Sequence, residues 1–354
     1  MNKSSSSISL SIDALDKDAS YFDMHEKYIS SHIKRTPFHS IAYARIIRRE
    51  YGIRSKVVSF YKENLICGIV ILYDCPTFPF GKKTTELVFS GSYGGILFSK
   101  NVLQKDLIEI LKQEFNNRSL LEIKLTKKYA EQLTNDMTSI YVNYNLLLSE
   151  SINDIWTKKV DQKARNQVRK ASKSGLEFSL YGVEGLNAFY DVYRITMKGL
   201  GSPCLSYGFF ESLTIEFASE VKISIVKYKG KPISVLFNIL ALDKMHNVWA
   251  GSLFEYRKFC PNYMNYWELI KWCKSNNVSN FDFGRSITKS THESFKKQWG
   301  AEKTDLFYYD ALSNKHCVAI DTKSTVVFVF NKIWRSTPWL LTNVCNKFFL
   351  KRTG

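Results

Sequence analysis

Two stretches of this chain run through the same order of elements, and a repeat of that kind restricts the available folds more than composition does. In the first, a helical pattern over 40–51 ends near Gly52 and two strand patterns follow, 56–61 and 66–73, joined by the turn Lys62-Glu63-Asn64. After a loop marked by the prolines and glycine of 75–81 come a short strand over 86–89, a helix over 101–115 and a strand over 120–125. The second stretch has a helix around 184–200, strands over 221–227 and 233–242 turning at Lys229-Gly230-Lys231-Pro232, a strand over 247–252, a helix over 263–275 and a strand over 278–283. Helix, hairpin, strand, helix, strand, given twice, predicts a duplicated α+β unit rather than one doubly wound sheet. With 354 residues there is chain enough for two domains that each bury a core.

Composition excludes several function classes. Seven cysteines without a Cys-x-x-Cys pair, and six histidines without a His-Glu-x-x-His pattern, support neither a zinc site nor a disulfide framework, so reduced thiols and no metal are expected. His25, His32 and His39 recur every seven residues but read as surface or core histidines, because Pro37 breaks the helix before the third. Signatures of nucleotide triphosphate, dinucleotide and serine-hydrolase sites are absent; the glycines of Gly91-Ser92-Tyr93-Gly94-Gly95 read as a tight turn before an anion cradle. No apolar run reaches the ~20 residues of a membrane span. The Ser-rich residues 1–20 lack a secretory apolar segment and read as frayed. A cytoplasmic protein follows, peripheral at most at the inner face of the membrane. Fifty Lys and Arg against 33 Asp and Glu, a net charge of +17, favour polyanionic or phosphorylated partners.

Chemistry-bearing residues gather in two places. In Phe281-Asp282-Phe283-Gly284-Arg285-Ser286 the phenylalanines alternate toward a core, Asp282 points the other way, and Gly284 is read as turning the chain at the strand end. Ligands collect at strand ends in α/β architectures. The competing reading makes Asp282 and Arg285 a structural pair closing a loop, and Ser286 a cap for the next one. The second place is a helix over 153–173, capped by Asn153 and closed by Gly175, with Trp156, Val160, Ala164, Val168 and Ala171 on one face. Lys158, Arg165, Arg169 and Lys173 lie opposite, with Lys163 and Lys170 at the border. Such a stripe suits phosphate groups or is a solvated face.

Three segments together resemble the Fem-type proteins of the GNAT-like acyltransferases, especially the branch found beside exosortase and extracellular polysaccharide genes. They are Thr36-Pro37-Phe38-His39 with its following helix, Lys163 through Ala171 closed by Ser174-Gly175, and Pro261-Asn262 through Trp267 to Phe281–Ser286 and Phe295-Lys296-Lys297-Gln298-Trp299-Gly300. The closing Ile333–Pro338 is similar to the same branch. The resemblance implies two tandem GNAT-like domains, 21–150 and 151–310, with a terminal part, 311–354, packing back on the first. That part is read as a strand over 325–330 and a basic amphipathic segment. The resemblance also implies acyl or aminoacyl transfer to an amine in cell-envelope or exopolysaccharide assembly. Asp282, Arg285 and Lys296 are then the expected catalytic residues; Lys163, Arg165, Arg169, Ser286, Tyr263 and Trp267 are the expected substrate contacts. No tightly bound cofactor is implied, only an activated donor, acyl-CoA or aminoacyl-tRNA. The expected partners are a phosphorylated or nucleotide-linked glycan acceptor, tRNA and an anionic membrane, not DNA. One departure bears on the donor. Residues 254–261 hold no glycine where acetyl-CoA users carry a glycine-containing pyrophosphate loop. The alternative from another class is a non-catalytic pair of such domains that docks a glycan-assembly or tRNA partner.

Overall fold

The computed structural model describes residues 8–77, 81–85, 94–118, 120–133, 139–316 and 325–353. It divides into two compact units. Met1–Ile140, Leu306–Val318 and Lys351–Gly354 form the first; Tyr141–Asp305 and Ala319–Leu350 form the second.

In the first unit the strands Ser9–Ala14, Arg54–Lys62, Leu65–Thr77 and Gly81–Thr85 pair antiparallel in succession. The helix Gln104–Glu114 then leads to Leu121–Leu125, which joins Gly81–Thr85 in parallel and takes Phe307 to Asp310 on its other side. The second unit repeats this order. Leu176–Tyr181, Val221–Tyr228, Lys231–Ala241 and Lys244–Ser252 are antiparallel neighbours. The helix Pro261–Ser275 leads to Asn280–Ile287, parallel to Lys244–Ser252 and flanked by the antiparallel Tyr141–Leu147. Both hairpins turn where the sequence places them. Glu63 and Asn64 in one, Lys229 and Gly230 in the other, hold positive φ, the twist that suits a two-residue hairpin turn. One core gathers Val58, Val70, Leu107, Leu111, Leu121 and Ile123; the other gathers Leu146, Leu236, Leu269, Phe281, Phe283 and Trp299.

His39 seals the first unit from inside. Its Nδ1 accepts the Thr36 amide at 3.0 Å and its Nε2 donates to the Gly95 carbonyl at 3.1 Å. Burial pushes the imidazole down to about 3, so it stays neutral. Thr36-Pro37-Phe38-His39 is thus a structural motif of that unit. Of the glycine run 91–95, residues 91–93 lie outside the described residues, as do 1–7 of the Ser-rich terminus and the strand expected over 86–89.

Several sequence expectations are corrected. Residues 9–14, read as frayed, form an edge strand held against Lys56 to Tyr61. The strand Tyr141–Leu147, placed at the end of the first domain, belongs to the second unit, because it fills the open side of Asn280–Ile287. The strand expected over 325–330 is instead the helix Thr325–Ser336, followed by the helix Trp339–Thr353. Of the terminal part expected over 311–354, residues 319–350 group with the second unit, while Leu306–Val318 and Lys351–Gly354 group with the first. Lys198 Nζ donates to the carbonyls of Trp334 and Thr337, and the Cys204 amide donates to Asn346 Oδ1 at 3.0 Å. The single helix over 153–173 is broken. A one-turn start at Ile152–Asp154, capped by Ser151 rather than Asn153, and a wide turn at Ile155–Lys159 end in an extended Val160. Asp161 then caps a new helix, Gln162–Ser172, by accepting the Lys163 amide at 2.8 Å.

Candidate active site

Asp282 lies on the strand Asn280–Ile287, in a row of polar residues that crosses three strands. Cross-strand register sets Asn145 on one side of it and His246 on the other. The adjacent row, Leu146–Phe281–Met245, faces the apolar core, as strand alternation requires. The parallel register between Lys244–Ser252 and Asn280–Ile287 extends only from Lys244–Asn280 to His246–Asp282.

The strand does not end at Gly284, as the sequence suggested. It bulges there. Register with Tyr141–Leu147 shifts between Asp282 and Arg285, and Gly284 takes φ +72°. A side chain at this position would meet the Asn247 carbonyl oxygen at 2.9 Å, so glycine is required twice over. The bulge is pinned from inside. Asp282 Oδ1 accepts the Gly284 amide at 2.8 Å, and Lys296 Nζ donates to the Gly284 carbonyl at 2.6 Å and the Arg285 carbonyl at 3.1 Å.

Asp282 is fully buried, and its Oδ2 lies 3.1 Å from His246 Nδ1 and 3.6 Å from Lys244 Nζ. Burial pushes the Asp282 carboxyl up to about 7, against the pull of the Gly284 amide and the Lys296 charge. Burial likewise brings the Lys296 ammonium down to about 7, opposed by Asp282 and aided by Arg285. An acid and an amine of one cluster therefore both titrate near neutrality, the displacement that acid–base chemistry needs. Lys296 sits on the short helix Thr291–Lys297, capped by Ser290; inside it Glu293 accepts from Tyr144 Oη at 2.9 Å.

Arg285 leaves the strand half-exposed, with its guanidinium 4.4 Å from the centre of the Tyr141 ring. Ser286 is buried, and its hydroxyl has no hydrogen-bond partner among the described residues. Capping of a following loop, the alternative reading for Ser286, falls to Ser290 instead. Tyr263 Oη donates to Gln298 Oε1 at 3.1 Å and packs edge-on to Phe295. Trp267 is buried, its ring 4.5 Å from that of Trp156, so it supports the core beneath the site.

The basic helix meets this cluster at one end. The Asp161 amide donates to the Gln298 carbonyl at 2.8 Å. Gly300, at φ +69°, lies so close that a side chain there would come within 2.5 Å of the Lys159 carbonyl oxygen. The stripe itself is not continuous, because the break at Val160 and Asp161 sets Lys158 in a separate turn, paired with Asp154. Arg165, expected to hold phosphate, points its Nη1 at the carbonyls of Trp156, Thr157 and Val160 at 2.8–3.1 Å, closing the end of that turn. Arg169 reaches Asn166 and lies over the Trp156 ring; Lys163 is exposed. The structure thus brings Asp282, Arg285, Ser286 and Lys296 together and leaves Lys163 and Arg169 on a neighbouring face.

Sequence reasoning missed His246, Lys244 and Asn145. His246 fell one residue before the strand expected over 247–252; the alternation of Lys244 and His246 was its available signal. Elsewhere in this unit a shallow cavity of about 350 Å³ is lined by Leu147, Ser149, Lys274 and Ser279. Its lysine is occupied by the Leu148 and Ser149 carbonyls, and it takes in none of the site residues. Among the described residues no group of three or more His, Cys, Asp or Glu side chains could hold a metal ion.

Comparison with known proteins bears on the fold. Residues 158–303 match the family model described as acetyltransferase (GNAT) domain. FemX is similar in structure at a TM-score of 0.61, with 14% identity, over 82% of this chain and 96% of that one. L-PGS from Bacillus licheniformis gives 0.54 at 10% identity, over 90% and 96%. A tandem GNAT protein from the clavulanic acid biosynthesis pathway gives 0.53 at 8%, over 86% and 99%. No curated protein matches the chain by sequence. At these identities the structural likenesses establish fold, and the chain is an α+β protein of two tandem GNAT-like units. Within it, residues 158–303 are the segment that matches the acetyltransferase (GNAT) domain model.

Proposed function

We propose that the second unit transfers an activated acyl group to an amine, and that it does so at the Gly284 bulge. The observation that carries this reading is the buried Lys296 amine held on the Gly284 and Arg285 carbonyls beside buried Asp282. An amine that attacks an acyl carbon must lose a proton, and the tetrahedral oxyanion needs a donor or positive charge. Near pH 7 a large fraction of Lys296 is neutral and able to take that proton; once protonated it faces the developing charge. Asp282, enclosed by His246, Lys244 and the Gly284 amide, positions the bulge and sets the charge of Lys296 rather than touching the acceptor. Arg285, half-exposed over the Tyr141 ring, holds the charge of donor or acceptor.

An aminoacyl donor is favoured over acetyl-CoA by the start of the helix Pro261–Ser275. Pro261 has no amide hydrogen to offer a pyrophosphate, and Cys260 Sγ is engaged with Gln167 Oε1 at 2.6 Å. A fold neighbour named as a putative lysylphosphatidylglycerol synthetase from Agrobacterium fabrum (TM-score 0.56, 7% identity) fits such a donor by analogy. The setting in envelope or exopolysaccharide assembly, with a phosphorylated or nucleotide-linked glycan as acceptor, rests on the Fem-type resemblance and on the excess of basic residues.

The test incubates purified protein with separate pools of acyl-CoAs and charged tRNAs and a nucleotide-sugar pool, and reads the products by mass spectrometry. Transfer from a charged tRNA is expected. Transfer from acyl-CoA alone overturns the choice of donor. Binding of tRNA or nucleotide sugar with no transfer from any donor replaces the enzyme by a docking protein.

A further inference from the structure

We propose that the C-terminal helix pair of the second unit lies on an anionic lipid bilayer and sinks its uncovered apolar residues into it. This inference is independent of the acyl-transfer reading. Among the described residues, an inner side of the pair is packed. Trp334 is buried, stacked on Phe330 with ring centres 5.4 Å apart, and Phe349 packs edge-on to both at 5.2 and 5.3 Å. Thr342, Asn346 and Leu350 are buried as well.

The outer side is not covered by the second unit. Phe328 is 65% exposed, Ile333 62%, Leu341 56% and Phe348 50%. Phe328 and Ile333 belong to the helix Thr325–Ser336; Leu341 and Phe348, seven residues apart, share a face of Trp339–Thr353. Phe328 and Ile333, five residues apart, flank the exposed Lys332 on the outer side of their helix, and large apolar side chains gathered on one exposed element point to an interaction surface.

Charge decides what covers it. Residues 325–354 contain Lys332, Arg335, Lys347, Lys351 and Arg352 and neither Asp nor Glu. The exposed Lys332 stands on the same stretch as Phe328 and Ile333, and the exposed Lys347 stands next to Phe348. Long basic side chains among apolar ones can lay their stems along the acyl boundary and raise their charges to the headgroups. Docking a second copy through this face would instead set like charges against like. No helix among the described residues is long and apolar enough to cross a membrane, so the pair lies along the surface.

The experiment is co-sedimentation of the full chain with vesicles of phosphatidylcholine alone and of phosphatidylcholine mixed with phosphatidylglycerol, across a salt series. The wild type is expected to sediment with the anionic vesicles only. Phe328→Ser with Ile333→Ser should lower partitioning at least tenfold with an unchanged melting temperature, since both side chains are exposed. Lys332→Glu with Lys347→Glu should weaken binding and flatten its salt dependence. Failure of the wild type to bind anionic vesicles overturns the proposal. So does binding that the apolar pair of substitutions leaves intact, which reduces the contact to charge alone. A wild-type dimer in sedimentation velocity that Ile333→Ser dissociates, without vesicle binding, assigns the face to a second copy.

Discussion

The two units carry an acid at the same place on the same scaffold. In the first, Glu122 is registered against Thr85, accepts from its hydroxyl at 2.8 Å and pairs with Lys83 at 3.1 Å. In the second, Asp282 is registered against His246 and flanked by Lys244, again two residues earlier on the neighbouring strand. Beyond the acid the units differ. The strand of Glu122 stays in register with Phe307 to Asp310, whereas that of Asp282 bulges at Gly284 and turns two carbonyls toward Lys296. A lysine–acid pair across a parallel strand edge is therefore a property of the scaffold. What singles out the second unit is a bulge and an amine buried behind it.

The strongest test of that contrast is Lys296→Met against Glu122→Gln. The first should lower turnover about 10³-fold, some 4 kcal/mol of barrier, and the second should leave it within about threefold. Equal losses in the two variants would dissolve the distinction between the units.

A second test is thermodynamic. Asp282 is displaced upward from 3.8 to about 7, so between those values the native protein holds a proton that the unfolded chain has released, and stability falls as pH rises. Lys296 is displaced downward from 10.5 to about 7, so above 7 the unfolded chain holds the extra proton, and stability recovers. Denaturant unfolding should show a minimum near neutral pH, a few kcal/mol deep at about 1.4 per displaced unit. Asp282→Asn should remove the acid limb and Lys296→Met the alkaline one. A curve flat through neutrality in the wild type would refute the buried pair.

Smaller effects sharpen the roles. Asp282→Asn, His246→Gln and Arg285→Ala should each lower turnover about tenfold, roughly 1.4 kcal/mol, with folding preserved by circular dichroism. Full activity in a stable Asp282→Asn would remove that residue from the site. A shift of the acid limb in His246→Gln would show that His246 acts through Asp282. Least of all, Arg165→Gln should cost about 1 kcal/mol of stability through its lost carbonyl contacts. Arg169→Gln should leave stability alone while weakening a phosphorylated ligand and flattening its salt dependence. Unchanged affinity at low salt makes the basic face merely solvated.

The sequence shows some of this and hides the rest for physical reasons. Alternation alone put Phe281 and Phe283 inward and Asp282 outward, and the two hairpin turns fell where expected. Gly284 was legible as a backbone irregularity but not as a bulge, because bulge and turn differ only in whether a partner strand continues, and that partner lies at Tyr141–Leu147. The break at Val160 and Asp161 was invisible to periodicity, since Val160, Ala164 and Val168 keep helical spacing across it and all three are buried. Thr325 to Phe330 reads as strand by its β-branched residues; the stacking of Phe330, Trp334 and Phe349 overrides that preference. His246 meets Asp282 only through a parallel crossover, which no local pattern announces.

The contact of Gly300 with the Lys159 carbonyl reaches beyond this site. It joins the turn that leads into the basic helix to the segment Phe295–Gly300, and it leaves no room for a methyl group between them. Anyone recombining such proteins by segment exchange should therefore treat 158–173 and 295–300 as one inherited cassette. A chimera that imports the basic helix alone will be accepted or rejected according to what its donor carried at the position of Gly300.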